Sequence, residues 1–440
     1  MAARGSPSTD PSDAFVAWTK AQAIDISTIE PGHGFADPQP IKAIVGGARV
    51  IALGEAAHGT HEFLAFRNRL LEFLVHEAGV TALAAETGTA EGLDVDAYVN
   101  GGDVDVTVAS QHVFDDWYPA PLEENRTLVE WMRAYNAVAA PGRALRFYGI
   151  DLPGGWGYEG ARRVADEAID YLERVDPRAA GDLRVRLHPL LVSFTARGYG
   201  SLPPAQQAQL TEAINDFVDL LAACRVDFIA RTTEADFDRA LRHAVNARQL
   251  DTYFGRAPKA SADAAADYRE QSMARDAAMA ENLRAVLQRE RGRGPILLFA
   301  HNWHVKKRAS IKEAFPEQFP GEPGTTLGQY LQSMLGDQLV VVGSTFHRSG
   351  DGTMTGPPGA DTRLSLAEAE PSDLDSELAR VGSPAFIIDL RAARQSPAAA
   401  VALDRGRRIR FNERYAEENP MQAFDALLYV DRVSDWRQTT

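Results

Sequence analysis

The sequence has little cysteine, no long apolar run and no excess of positive charge. Its 440 residues contain one cysteine, Cys224, so an internal disulfide is excluded. No stretch of about 18 apolar residues occurs, which argues against a membrane-spanning helix, and the small, polar N-terminal residues do not resemble a signal peptide. The formal net charge of −15 disfavours binding to nucleic acid or anionic membranes, since both attract basic faces. We therefore predict a cytoplasmic protein without a nucleic-acid or membrane partner.

Several common catalytic motifs are missing as well. The sequence has no Gly-x-Ser-x-Gly elbow, which disfavours a serine hydrolase of the usual kind. It has no Walker loop and no Gly-x-Gly-x-x-Gly after a strand, which removes the simplest nucleotide-binding interpretations. The zinc-binding pattern His-Glu-x-x-His is also absent. We expect no cofactor and no metal.

Four short and almost continuously apolar runs each lead into ionisable residues. Such runs are typical of strands buried on both faces of a parallel sheet. Ligands bind beyond the carboxyl ends of strands in sheets of this kind, so the four endings predict one shared active site. The runs and the residues that follow them are 50–53 with Glu55 and His58, 80–85 with Glu86, 145–150 with Asp151, and 295–300 with His301 and His304.

The apolar runs alternate with stretches of helical periodicity, which predicts an α/β layered fold with a mainly parallel central sheet flanked by helices. From about residue 157 to 266 strand-like runs disappear and Ala, Arg, Leu and Asp dominate, so we interpret this region as a helical insertion that forms a lid or pocket wall. Among the predicted helices, residues 14–28 are expected to form one uninterrupted helix, and so are residues 204–231. The predicted organisation is a first part of the α/β core at 12–156, the helical insertion at 157–266 and a second part of the core at 267–440.

His58 is the first candidate for a general base. It lies three residues after Glu55, and a carboxylate within reach sets the tautomer and basicity of a histidine. The alternative is an ordinary histidine in a surface loop. The pair His301 and His304 at the end of a strand suits either metal ligation or two donors that converge on a substrate oxygen.

Taken together, these residues resemble the erythromycin esterase family. The family motif Gly-Glu-x-x-His-Gly-x-x-Glu-Phe is present at 54–63, and its strand followed by His-Asn-x-His is present at 298–304. The segment around Arg275 and Asp276 is similar to the family's helix before the histidine pair. The resemblance extends over nearly the whole chain.

The resemblance implies hydrolysis of an ester, in the resistance enzymes a macrocyclic lactone, by a histidine-activated water without an obligatory metal. The partner it implies is a small-molecule natural product. His61 stands where the resistance enzymes more often carry a small hydroxyl residue, so the substrate itself is not carried over. The implied catalytic residues are His58 as base, Glu55 and Glu86 in the polar network around it, Arg67 as the residue that orients the network, and His301 with His304 on the reacting carbonyl. The expected substrate-binding residues are His61, Trp117, Asp151 and Trp303.

Two alternatives to hydrolysis remain open. The same His and Glu residues suit a tailoring enzyme of a biosynthetic pathway, such as a cyclase, lyase or isomerase, since a general base takes protons from carbon or hydroxyl groups as well as from water. The second alternative is a haem- or metal-binding protein without catalysis. The sequence favours an enzyme, because Glu55, Glu86, Arg67 and Asp151 are more polar groups than an axial-ligand site requires.

Overall fold

A large β-sheet lies at the centre of the chain, for which the computed structural model describes residues 11–113, 121–154, 161–257, 264–309, 324–356 and 363–438. The strands of the described residues are β1 (Ile24–Asp25), β2 (Val50–Glu55), β3 (Ala82–Gly88), β4 (Arg146–Asp151), β5 (Ile296–His301), β6 (Leu339–Ser349), β7 (Thr353–Thr355), β8 (Arg363–Ser365), β9 (Ala385–Asp389), β10 (Arg407–Phe411), β11 (Arg414–Glu418) and β12 (Ala426–Val433).

Eight of these strands form the central sheet in the order β1-β9-β12-β6-β2-β5-β3-β4. The neighbours from β12 to β4 are all parallel, whereas β9 runs antiparallel to β12 and to β1. The predicted mainly parallel sheet is therefore confirmed. The two remaining pairs, β7 with β8 and β10 with β11, are separate antiparallel hairpins.

Helices cover both faces of the sheet. The helices of the described residues are α1 (Pro11–Gln22), α2 (Ile41–Val45), α3 (His61–Glu77), α4 (Glu91–Val99), α5 (Val106–His112), α6 (Glu123–Val138), α7 (Ala161–Val175), α8 (Pro177–Leu191), α9 (Pro204–Ala223), α10 (Arg225–Arg231), α11 (Glu234–Gly255), α12 (Ala264–Arg289), α13 (Asn302–Val305), α14 (Leu327–Leu335), α15 (Leu374–Ala379), α16 (Leu390–Ala393), α17 (Pro397–Leu403) and α18 (Pro420–Ala423).

Side-chain alternation along the strands divides the core into two layers. On β2, Ile51 and Leu53 pack into a cluster with the apolar face of α3, whereas Val50 and Ala52 pack into a second cluster with α12. A strand that is buried on both faces needs apolar residues at every position, which explains why its sequence is a continuous apolar run. Because the six neighbouring strands from β12 to β4 are parallel, their carboxyl ends lie along the same edge of the sheet.

The described residues 161–257 are helical and contain no strand, which agrees with the predicted helical insertion. Helices α7, α8, α9 and α11 share an apolar core of their own. The insertion also contacts the sheet domain, because Thr89 after β3 donates a hydrogen bond of 2.8 Å to Asn246 Oδ1 on α11. Its boundaries and its part as a lid or pocket wall stay predictions. No helix of the described residues is long and apolar enough to cross a membrane.

Two predicted helices differ from the structure. The helix predicted at 14–28 is α1, which ends at Gln22 because Ile24 and Asp25 pair with β9 as an edge strand. The helix predicted at 204–231 is interrupted at Cys224, whose backbone ψ of 12° departs from helical geometry and separates α9 from α10. In both places tertiary contacts or local backbone geometry override a periodic sequence pattern.

Candidate active site

Four adjacent strands of the sheet end in the polar residues from which the site is built. Their order is β2-β5-β3-β4, and Glu55 on β2 is the direct neighbour of His301 on β5. The next strands place Glu86 and Asp151 along the same edge. The structure thus brings together the four strand endings that the sequence analysis singled out. The roles assigned to them remain predictions.

His58 lies on the short loop between β2 and α3, beside the buried end of β2. Its Nδ1 is 2.6 Å from Glu55 Oε1, and 23% of the His58 side chain is exposed while the Glu55 side chain is fully buried. A carboxylate at Nδ1 favours the tautomer with the proton on that nitrogen, so Nε2 carries the lone pair in the neutral ring. Burial lowers the pKa of His58, but the Glu55 carboxylate and its hydrogen bond outweigh burial and raise it overall. Burial raises the pKa of Glu55.

His301 is the neighbour of His58 and has the opposite character. The two ring centroids are 4.7 Å apart. His301 Nδ1 accepts a hydrogen bond of 3.1 Å from the backbone N–H of Trp303, so the neutral ring carries its proton on Nε2. Burial and the nearby His58 hold the pKa of His301 well below its usual range. His301 is therefore a neutral hydrogen-bond donor through its Nε2–H.

Glu86 is tied to its neighbours through both oxygens. Its Oε2 accepts a hydrogen bond of 2.8 Å from the backbone N–H of His301, and its Oε1 accepts one of 2.8 Å from Arg275 Nη2. Burial would raise the pKa of Glu86, but the charges of His304 and Arg275 hold it well below the usual range. Arg275 also donates to both oxygens of Asp151, with Nε at 3.0 and 3.1 Å. Arg275 thus links the ends of β3 and β4.

His304 on α13 lies between two carboxylates. Its Nδ1 is 2.5 Å from Asp276 Oδ1 and its Nε2 is 3.2 Å from Glu86 Oε1. Burial lowers the pKa of His304, but the charges of Asp276 and Glu86 outweigh burial and raise it to about 10. His304 is therefore an imidazolium at neutral pH, with both N–H groups directed at carboxylates. Arg275 Nη1 lies 3.2 Å from the same Nε2, and two donors at that distance repel each other.

Arg67 donates its hydrogen bonds to asparagines and not to Glu55 or Glu86. It is fully buried on α3, and its guanidinium donates to Asn68 and Asn125. Burial lowers the pKa of Arg67 to about 10, although the charge of Glu55 still acts on it. The arginine that bonds directly to the carboxylate network is Arg275 from the helix before the histidine pair.

The residues expected to bind substrate are distributed differently from the catalytic cluster. His61 directs its two ring nitrogens at Glu124 and Glu30, at 2.6 and 2.8 Å, instead of at His58. Asp151 is engaged by Arg275, and Trp303 is largely buried with its ring 5.3 Å from that of Phe411. Trp117 lies outside the described residues.

Two contacts near the site were not predicted from the sequence. Asn302 joins β5 to β6, since its Nδ2 donates to the carbonyl of Ser344 at 2.7 Å and its Oδ1 accepts the Ser344 N–H at 3.1 Å. Gly54 must lack a side chain at this place, because a Cβ there would be 2.3 Å from Asn302 Oδ1. The tip of the β10–β11 hairpin also reaches the loop of His58, where Asn412 Oδ1 accepts the His58 N–H at 3.3 Å.

The arrangement supplies a base, a neutral donor and a fixed network of charges. Within the described ranges, no group of three or more His, Cys, Asp or Glu side chains is arranged to hold a metal ion. The expected metal independence stays a prediction. A cavity of about 380 Å³ lies elsewhere, between α11 and α12, and its lining includes Met273 and Tyr330 but none of the cluster.

Comparison with known proteins places the chain among related sequences and structures. The family model for erythromycin esterase matches residues 75–433. Erythromycin esterase type II of Escherichia coli is 23% identical over 443 residues, which cover 96% of this chain and 98% of that protein. Erythromycin esterase type I of Escherichia coli is 22% identical over 296 residues, covering 66% of this chain and 68% of that protein.

Solved structures share the fold over almost the full length. A Bacillus cereus protein superposes with a TM-score of 0.79 at 22% identity, covering 98% of this chain and 99% of that one. A succinoglycan biosynthesis protein gives a TM-score of 0.78 at 21% identity, covering 97% and 98%. A mutant of the erythromycin esterase EreC in its open conformation gives 0.72 at 18% identity, covering 94% and 98%.

Proposed function

Because the chain belongs to the erythromycin esterase family, we propose that it is a hydrolase that cleaves an ester or lactone bond of a bulky natural product with a water activated by His58. The observation that carries this proposal is the contact between two histidines of opposite character. His58 has a carboxylate at Nδ1 and a raised pKa, while His301, 4.7 Å away between ring centroids, is held neutral. A base beside a neutral donor is what attack of water on a carbonyl group requires.

The reaction follows from these two side chains. His58 Nε2 takes a proton from water while the water oxygen attacks the carbonyl carbon, and Glu55 stabilises the imidazolium that forms. The negative charge that develops on the carbonyl oxygen accepts a hydrogen bond from His301 Nε2–H. When the bond to the alkoxide oxygen breaks, His58 returns the proton to that oxygen. The products are a carboxylic acid and an alcohol, joined in one molecule if the substrate is a lactone.

In this mechanism His304 positions other groups and does not bind the carbonyl oxygen. Its two N–H groups are directed at Asp276 and Glu86, so neither is directed at a substrate. Glu86 in turn accepts the backbone N–H of His301. The charge of His304, together with Arg275, therefore keeps Glu86 ionised and fixes the backbone that carries the neutral donor.

The substrate is proposed only as a class. The names of the related proteins refer to erythromycin, a macrocyclic lactone, and the low identity of 22–23% does not extend that substrate to this chain. His61 stands where the resemblance leads us to expect a small hydroxyl residue in the resistance enzymes, but its ring is held between Glu124 and Glu30. The difference at His61 therefore gives no information on which lactone or ester is cleaved.

Replacement of the base and isotope labelling test the proposal together. Screening lactones and esters of natural products identifies a substrate, and His58→Gln should then abolish turnover while the thermal unfolding temperature stays near that of the native protein. His188→Gln is a matched control, because this histidine lies on α8 in the insertion with 40% of its side chain exposed. Turnover in ¹⁸O-labelled water should place one labelled oxygen in the product carboxylate.

Two results would contradict the proposal. Near-native turnover by His58→Gln would remove His58 as the base. Turnover without incorporation of labelled oxygen would exclude hydrolysis and favour the cyclase, lyase or isomerase alternative, in which the proton comes from the substrate.

A further inference from the structure

The β10–β11 hairpin spans the distance between the two histidine-bearing segments of the site. Its strands pair from Arg407 with Glu418 to Phe411 with Arg414, so the turn consists of Asn412 and Glu413. Asn412 has a φ of 48°, in the left-handed region that asparagine tolerates better than most residues. A two-residue turn with this backbone matches the twist of a hairpin, so the tip is a defined structure.

The tip of the hairpin holds the loop that carries His58. The backbone N–H of Asn412 donates a hydrogen bond of 2.8 Å to the carbonyl of Ala56, and its side-chain Oδ1 accepts the His58 N–H at 3.3 Å. Next to it, the ring of Phe411 lies 4.8 Å from that of His301. The hairpin tip therefore contacts both histidines at once. Asn412 bonds to the backbone of His58, and Phe411 packs against the ring of His301.

The open end of the hairpin, opposite the turn, contacts the segment from His301 to Lys306. Glu418 Oε2 accepts a hydrogen bond of 2.8 Å from Lys306 Nζ, directly after α13, and both side chains are buried. The Lys306 ammonium also lies 4.3 Å from the centroid of the Trp303 ring. A buried ion pair is costly to break from one side, because the remaining charge loses its partner in a place without water. The segment from His301 to Lys306 is thus fastened to the same hairpin as the His58 loop.

We propose that the β10–β11 hairpin is a positioning element of the site, and that Asn412 is the residue that sets His58 against His301. The inference rests on the proposed function, in which His58 is the base and His301 the donor. Glu55 fixes the ring of His58, whereas Asn412 fixes the backbone of the loop at two positions, Ala56 and His58. A shift of about 1 Å in a catalytic group costs up to about 100-fold in rate. Because the two hydrogen bonds hold the loop of the base, we expect their loss to lower the rate of the reaction and to leave substrate affinity unchanged.

Two variants of Asn412 separate its side chain from its backbone. Asn412→Gly keeps the left-handed backbone and the bond to Ala56 but removes the acceptor for His58. We expect kcat to fall about tenfold, which corresponds to ~1.4 kcal/mol, with KM within about twofold of the native value. Asn412→Asp restores the acceptor and tolerates the same φ, so kcat should return to within about threefold of the native value. Glu413→Ala is the control at the neighbouring turn position and should leave kcat and KM unchanged.

The protonation of His58 gives a second readout that does not depend on turnover. A carboxylate at residue 412 brings a negative charge to the His58 loop, so Asn412→Asp should raise the pKa of His58 measured by NMR of its ring, and move the acid limb of the rate profile to higher pH. Asn412→Gly should leave that pKa close to the native one. A purely structural turn would not show the selective effect on kcat, whereas the shift in the pKa of His58 reports that residue 412 lies against the His58 loop.

The outcomes are distinguishable from failure of the proposed function. Native kcat in Asn412→Gly, equal losses in Asn412→Gly and Glu413→Ala, or no recovery in Asn412→Asp would each overturn the inference. If His58→Gln is inactive while Asn412→Gly is native-like, the base stands and only the hairpin's part is wrong. If His58→Gln is active, the proposed function fails. If the pKa of His58 measured by NMR is also unchanged in Asn412→Asp, the contact between Asn412 and the His58 loop fails as well.

Discussion

The charge of His304 makes a specific prediction about stability and pH. In the folded protein its pKa is raised to about 10, while an unfolded histidine titrates near its ordinary value of 6.5. A group whose pKa is higher in the folded state stabilises the fold fully below the unfolded pKa and loses that effect as the pH rises through the folded pKa. The relevant window is therefore pH 6.5 to about 10. His304→Gln keeps a side chain of similar size but removes the charge.

The size of the effect follows from the two pKa values. Since a tenfold change in proton affinity is worth about 1.4 kcal/mol, a rise from 6.5 to about 10 amounts to about 5 kcal/mol as a ceiling. Between pH 6.5 and 9.5 the native protein should lose about 3 to 4 kcal/mol of unfolding free energy that the variant does not lose. The source is the attraction of Asp276 and Glu86, which outweighs burial and the opposing charge of Arg275.

Urea unfolding at several pH values, followed by tryptophan fluorescence, measures this difference. The native protein and His304→Gln are compared at each pH, so that effects of pH common to both proteins cancel in the difference. We expect the two stability curves to converge as the pH rises toward 9.5. Parallel curves across this range would refute the assignment of a charged His304 and, with it, the electrostatic support that we ascribe to Glu86.

Three further predictions concern the surroundings of the base. Glu55→Gln should lower the pKa of His58 by removing the charge that raises it, so the acid limb of the rate against pH should move to lower pH while kcat falls. Gly54→Ala should destabilise the fold by about 1–3 kcal/mol in thermal or urea unfolding, because its Cβ would be 2.3 Å from the bonded Asn302 Oδ1. His61→Asn should lower the unfolding temperature but leave kcat near native, since both ring nitrogens face structural carboxylates; a selective loss of kcat or a raised KM would instead place His61 at the substrate.

The edge at which the site lies could be predicted from the sequence because buried parallel strands have a simple pattern. Apolar residues at every position, interrupted by Glu55, Glu86, Asp151 or His301, indicate both the strand and its carboxyl end. Parallel pairing then places all four at one edge without knowledge of the strand order. The sequence did not determine that β2, β5, β3 and β4 are direct neighbours in that order.

The hairpin was not predicted because its sequence has the composition of a polar surface. Strands β10 and β11 are rich in Arg and Glu, yet Arg407 and Arg410 are buried. Arg407 is buried because its Nη2 donates a hydrogen bond of 2.7 Å to Glu377 Oε2, on a helix 30 residues earlier in the chain. Likewise, periodicity does not show which arginine meets Glu86. Arg67 is near in sequence, but Arg275 makes the contact across 189 positions.

The three histidines of the cluster show that the chemical role of a side chain depends on the groups around it and not on the residue type alone. His58 has a carboxylate at Nδ1 and partial exposure, so its raised pKa still allows it to exchange a proton. His301 uses Nδ1 to accept a backbone N–H and lies beside His58, so it stays neutral and donates. His304 has two carboxylates and remains charged. A single cluster can therefore hold a base, a neutral donor and a fixed cation built from one kind of side chain, provided that the network around Glu86 keeps their surroundings different.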